Sequence, residues 1–172
     1  MDVDLGFDKG KLGSLINRVK EEPEKGQTVW TATTRWDKGF RSEATIRSHT
    51  VPMDEPMQLG GSDTAPNMVE MVLGAYGCCL TTGFVANAGM LGIELESVDI
   101  NLAGDLDLQG FFGLKPPEEC PPGYTEVRAE INLNAPKATE EQLKQLYDSV
   151  IATSPVGNII TRPVKVVTEF KS

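Results

Sequence analysis

Hydrophobic and polar residues alternate with three different rhythms along this chain, and each rhythm predicts a different element. Between residues 8 and 22, Leu12, Leu15, Ile16 and Val19 recur at helical spacing among charged neighbours, which predicts an amphipathic helix stopped by Pro23. A period of two follows, from Thr28 to Arg35 and again from Phe40 to Ser48, and predicts two strands joined at "DKG". The turn-rich stretch "HTVPMDEPMQLGGSDTAP" reads as a long loop, with Ser62, Asp63 or Thr64 to cap the next helix and Pro66 in its first turn. From about Asn67 to Met90 apolar residues fall on nearly every side, the signature of a helix enclosed in a core or an interface. Gly74, Gly77 and Gly83 each cost about 1 kcal/mol of helix propensity, so another backbone is expected to approach them closely.

The remaining pattern is strand, loop, strand, helix, strand. "SVDINLAGDLDL" and "TEVRAEINLNA" alternate on either side of the Gly- and Pro-rich "QGFFGLKPPEECPPG". "ATEEQLKQLYDSVIAT" places Leu143, Leu146, Val150 and Ile151 on one helical face, and "PVKVVTEF" reads as a closing strand. This order gives an α+β fold, with residues 1–25 as an N-terminal helical extension and 26–172 as the main domain.

Charge and cysteine usage narrow the chemistry. A formal net charge of -9 without basic clusters speaks against nucleic acid as a partner, because an anionic surface repels phosphates. No stretch approaches the roughly 20 apolar residues of a membrane span, and the acidic start lacks the layout of a secretory signal; a cytoplasmic protein without a membrane partner is expected. Three cysteines, Cys78 and Cys79 adjacent and Cys120 apart, do not form a disulfide framework. A single histidine, His49, and no paired C-x-x-C speak against a structural metal, and no cofactor motif is present. The loop containing Asp54, Glu55, Gly60, Gly61 and Asp63 lacks both a P-loop lysine and calcium-binding spacing, so it reads as a turn-rich lead into the helix.

The stretch "VPMDEPMQLGGSDTAPNMVEMVLGAYGCCLTTG", continuing through "GIELESVDINLAGDLDL", "GFFGL", "PPGYTEVRAEINLNA" and "SPVGNIITRPVKV", resembles the OsmC-like family of osmotically inducible and organic-hydroperoxide-resistance proteins over residues 28–170. The resemblance implies an intertwined homodimer, with a strongly bent antiparallel sheet wrapped around long central helices. It implies, too, a thiol-dependent peroxidase that reduces a small hydrophobic hydroperoxide. Cys79, followed by "LTT", matches the reactive cysteine, while Cys78 falls at a small-residue position about 100° away around the helix. Arg41, in "GFRSEATIRSH", matches the arginine that stabilises the thiolate, with Arg35 and Arg47 as reserves. Glu70 is the candidate orienting carboxylate, although the family's hydroperoxide-resistance members carry theirs one position earlier, at Val69.

A second departure is chemical. Ser154 in "TSPVG" occupies the position of the family's resolving cysteine, and a hydroxyl cannot close a disulfide. Three routes stay open for a redox cycle: Cys120 swinging in from its loop, a strained Cys78–Cys79 disulfide, or Cys79 alone with an external thiol reductant. His49 offers a general base to Cys79, or is an ordinary strand-end residue. Phe111 and Phe112 either line a pocket mouth or plug the dimer. The two departures also motivate another reading, a non-catalytic protein of this fold that binds a small hydrophobic ligand.

Overall fold

The computed structural model describes residues 3–171 and divides into two compact units. Within the first, residues 8–73, α1 (Lys9–Glu21) starts from an Asp8 cap whose carboxylate accepts from the Lys11 N–H. The helix buries none of its residues, and Leu15 on its apolar stripe remains 54% exposed. Three strands form an antiparallel sheet in the order β1 (Thr33–Trp36), β2 (Ser42–Ile46) and β3 (His49–Met53).

Two sequence expectations are corrected here. The first strand is shorter than Thr28–Arg35, and Val29 and Trp30 lie exposed outside it. The supposed loop from His49 begins as β3, because the two-residue turn Arg47–Ser48 folds it straight back on β2, with Ile46 opposite His49. Alternation in "HTVPM" is hidden by Pro52, which sits in a strand at the edge of the sheet, where the missing N–H is tolerated.

α2 (Met68–Leu91) crosses from this unit into the second. Its cap is Asn67 rather than Ser62, Asp63 or Thr64: the Asn67 side chain accepts from the Glu70 N–H at 2.8 Å, and the Glu70 carboxylate accepts from the Asn67 N–H at 2.9 Å. This reciprocal pair satisfies two of the helix's orphan donors. By length and composition the helix is apolar enough to cross a membrane, which corrects the sequence reading; interspersed Gly, Thr and Cys disguise the run.

The second unit, residues 74–171 with 3–7, holds the apolar core. One turn apart on α2, Leu80, Phe84 and Ala88 are fully buried, and they join Leu146 and Val150 from α4 (Glu140–Thr153). β4 (Ser97–Leu106) and β5 (Tyr124–Asn134) form an antiparallel pair whose inward residues, including Val98, Ile100, Ile131 and Leu133, pack on that cluster. Two of the three α2 glycines answer side chains rather than backbone, a Cβ at Gly77 coming within 2.7 Å of Leu102 and one at Gly83 within 2.9 Å of Val150, whereas nothing in this chain lies within 4 Å of a Cβ at Gly74. Of the predicted α4 face, Leu146 and Val150 are buried, whereas Ile151 is exposed, being one position past the inward stripe.

Two short helices were not expected. α3 (Leu108–Phe111) is capped by Asp107, and α5 (Pro155–Thr161) by Ser154. The closing strand, by contrast, does not form: residues 163–171 join neither sheet, and Phe170 is 93% exposed. A strand needs an edge to bond to, and none in this chain takes up "PVKVVTEF".

Candidate functional site

Cys79 occupies the middle of α2, half-buried and free of any disulfide. Its Sγ lies 3.3 Å from the Ser154 Oγ. Ser154 is the junction of two helices, ending α4 and capping α5, where its hydroxyl accepts from the Gly157 N–H at 3.1 Å. Pro155 follows at the first helical position, where its missing N–H costs nothing. The sequence motif Ser-Pro therefore contains the signal for α5 and for this hydroxyl's fixed direction, a signal that the comparison with a resolving cysteine passes over.

Tyr76 stands one turn before Cys79 on the same helix and packs against the α4–α5 junction. The fit at Gly157 is close: a Cβ there would approach both the Ser154 Oγ and the Tyr76 Cε2 to 3.1 Å. Burial raises the Tyr76 hydroxyl above its ordinary value of 10.0, and Tyr147 and Cys79 push it further in the same direction. A neutral phenol, a buried hydroxyl and a thiol thus meet where α2 contacts the α4–α5 junction; the resemblance marked the thiol and the serine position, and Tyr76 was missed.

The other thiols have different settings. Cys78 is exposed, its side chain turned about 100° around α2 from that of Cys79. Cys120 is buried: its N–H donates to the Pro116 carbonyl at 3.0 Å, and the Cys120–Pro121 backbone fills the space a Gly110 side chain would need. These contacts hold the "PPEECPPG" segment against α3, so Cys120 is a packed residue instead of a loop thiol ready to swing. Phe111 and Phe112 meet edge to face with ring centres 5.2 Å apart, and Phe112 remains exposed.

In the unit of residues 8–73, Arg41 lies at the foot of β2 and pairs with Asp37 at 3.6 Å across the turn; Glu70 is paired with Asn67, so Arg41 and Glu70 have these partners and not each other. Arg35 faces Glu43 in the β1–β2 register, and Arg47 occupies the hairpin tip with a left-handed φ of 56°. His49 is exposed beside that tip.

Asp54 is the residue this unit is built around. Its carboxylate, fully buried, accepts from the Glu55 N–H at 2.8 Å, the Ser62 N–H at 3.2 Å, and the Thr64 N–H and hydroxyl at 3.1 and 2.9 Å. Burial pushes this carboxyl up, but the donors from Thr64, Glu55 and Ser62 together outweigh it and hold it below 3.8. The turn-rich loop is therefore wound around one anion supplied by the chain itself.

Among curated protein sequences nothing matches this chain. Solved structures of similar fold include an OsmC-like protein from Mycoplasma pneumoniae, 15% identical, with a TM-score of 0.66 over 78% of this chain and 89% of that one. Another is an organic hydroperoxide resistance protein OsmC from Legionella pneumophila, 16% identical, with a TM-score of 0.55 over 78% and 91% of the two chains. The family model described as OsmC-like protein matches residues 60–169, a span that takes in α2, both cysteines on it, the β4–β5 pair and Ser154. The chain is accordingly a member of the OsmC-like family.

Proposed function

We propose that this protein is a thiol-dependent peroxidase for organic hydroperoxides, working as a cytoplasmic homodimer with Cys79 as its nucleophile. The observation that carries this reading is the setting of Cys79: a free, half-buried thiol inside the matched family segment, hydrogen-bonded to a buried hydroxyl beside an apolar core. The Legionella pneumophila relative, named for organic hydroperoxide resistance, supports the substrate class. Apolar surroundings favour a peroxide with a hydrocarbon group over hydrogen peroxide.

The chemistry balances with one cysteine. The Cys79 thiolate attacks the peroxide O–O bond and takes up one oxygen as sulfenic acid, while the other oxygen leaves as alkoxide and is protonated to the alcohol. With Ser154 unable to form a disulfide and Cys120 buried, a small external thiol condenses with the sulfenic acid, forming an S–S bond and releasing water. A second molecule of that thiol attacks the mixed disulfide at the outer sulfur, releasing the Cys79 thiolate and leaving as the symmetric disulfide of the two reductant molecules.

Arg41 is the guanidinium assigned to the thiolate. Its exposed contact with Asp37 is worth at most about 1 kcal/mol, so exchanging it for a thiolate costs little. Glu70 is the orienting carboxylate, with one oxygen engaged at Asn67. The homodimer reading is supported by apolar surface that one chain leaves uncovered: Met68, Val72 and Met90 on α2, Val29 and Trp30 before β1, and Val166, Val167 and Phe170 in the tail. A second copy of the chain is the partner that would cover it.

The test is consumption of cumene hydroperoxide coupled to a small thiol. Turnover is expected in the wild type and abolished in Cys79→Ser; equal slow turnover in both defeats the reading. The engagement of Glu70 in a helix cap favours one competitor, a non-catalytic protein that holds a small hydrophobic ligand. Cys79 resistant to both alkylation and oxidation in the native protein would establish that competitor instead.

A further inference from the structure

Two bonds define the Ser154 hydroxyl. Its oxygen accepts from the Gly157 N–H at 3.1 Å, and the Cys79 sulfur lies 3.3 Å away. With the backbone donor occupying one lone pair, the hydroxyl proton is left for the sulfur. An ionised sulfur has no proton of its own, so in the thiolate state the direction of the bond is fixed: Ser154 donates and Cys79 accepts. A hydrogen bond with one ionised partner is roughly twice as strong as a neutral one, so the contact favours thiolate over thiol. Ser154 is only 6% exposed, which keeps water from competing for the same position.

The surroundings hold this hydroxyl in one place. Pro155 and the α5 cap fix its backbone, and Gly157 brings the Tyr76 ring to the other side of the same turn. Tyr76, one turn away on α2, is pushed above its ordinary value of 10.0 by burial first and by Tyr147 and Cys79 after it, so it is uncharged at neutral pH and supplies no positive charge to the sulfur; the Ser154 hydroxyl is the hydrogen-bond partner the sulfur meets there.

We propose that Ser154 is a positioning residue for Cys79: its hydroxyl aims the sulfur and stabilises the ionised form that attacks the peroxide. This rests on the peroxidase reading, yet it makes a claim about the thiol that can be measured without any peroxide. Replacing cysteine by serine at this position removes the internal disulfide and puts a fixed proton donor on the nucleophile.

The experiment uses the full chain with Cys78→Ser, following iodoacetamide alkylation of Cys79 against pH by peptide mass spectrometry. Ser154→Ala is expected to move the midpoint of the profile up by about one pH unit, a tenfold slower reaction at fixed pH below it. Ser154→Thr, which keeps hydroxyl and cap, is expected to restore the wild-type profile. Because alanine also removes the α5 cap, Ser154→Asp serves as the second variant: it can still cap but has no proton to give and adds a like charge, so its midpoint moves up further. Circular dichroism shows which variants remain folded. Profiles of folded Ala or Asp variants that superimpose on the wild type overturn the proposal. Profiles that shift as expected, in a protein whose Cys79 is never sulfenylated by cumene hydroperoxide, uphold the role of Ser154 and defeat the peroxidase reading alone.

Discussion

The two units of this molecule solve the same problem with opposite chemistry. In residues 74–171 the fully buried large side chains are Phe84, Leu80, Leu146 and Val150, whereas in residues 8–73 the buried residues, among those described, are Asp54, Glu55 and Asn67. One unit is held by nondirectional removal of hydrocarbon from water. The other is held by directional donors converging on a carboxylate. The difference teaches where each is vulnerable: the apolar unit to lost volume, the polar unit to lost charge.

The largest effect is expected from volume. Phe84→Ala leaves a cavity in the centre of the core and should destabilise by about 3–5 kcal/mol, read from urea unfolding; a loss below 1 kcal/mol would mean that the core is not organised around this ring. Next comes charge. Asp54→Asn should leave overall unfolding less affected and strip hydrogen-exchange protection from the Ser62 and Thr64 amides by about tenfold. Since the folded-state Asp54 carboxyl lies below 3.8, its stabilisation is complete above that pH and is lost as pH falls through the lower value. The wild-type amides should therefore lose protection in strong acid, while those of Asp54→Asn start low and stay flat; matching acid curves would refute the role of this anion.

A smaller effect separates structure from chemistry on α2. Asn67→Ala should cost about 1 kcal/mol through the lost cap. Glu70→Gln can keep the same bond to the Asn67 N–H, so it should unfold like the wild type. If its peroxide turnover also equals the wild type, Glu70 is a capping residue and nothing more.

Legibility followed the same division. α4 and the β4–β5 pair could be read from periodicity, because burial on one face imposes a repeat, and Leu146 and Val150 were found on that basis; α2 was read instead from its length and all-round apolar character. Cys79 was found by resemblance, not by pattern. Less was legible where single hydrogen bonds decide: a carboxylate taking four donors has no period, so Asp54 read as part of a loop. Ser62, Asp63 and Thr64 read as caps by residue type, yet Thr64 spends its hydroxyl on Asp54, and the cap falls to Asn67. The closing strand has the right alternation and fails only for lack of an edge, which no local pattern encodes.

Cys78 and Cys79 are consecutive on one helix, yet the first stands in solvent with no hydrogen bond among the described residues and the second meets a buried hydroxyl. The molecule thus carries its own reference electrode for sulfur: two thiols sharing one backbone, one temperature and one buffer, differing in surroundings alone. The ratio of their labelling rates cancels reagent concentration and quenching error, and gives the influence of the half-buried setting on sulfur in a single tube.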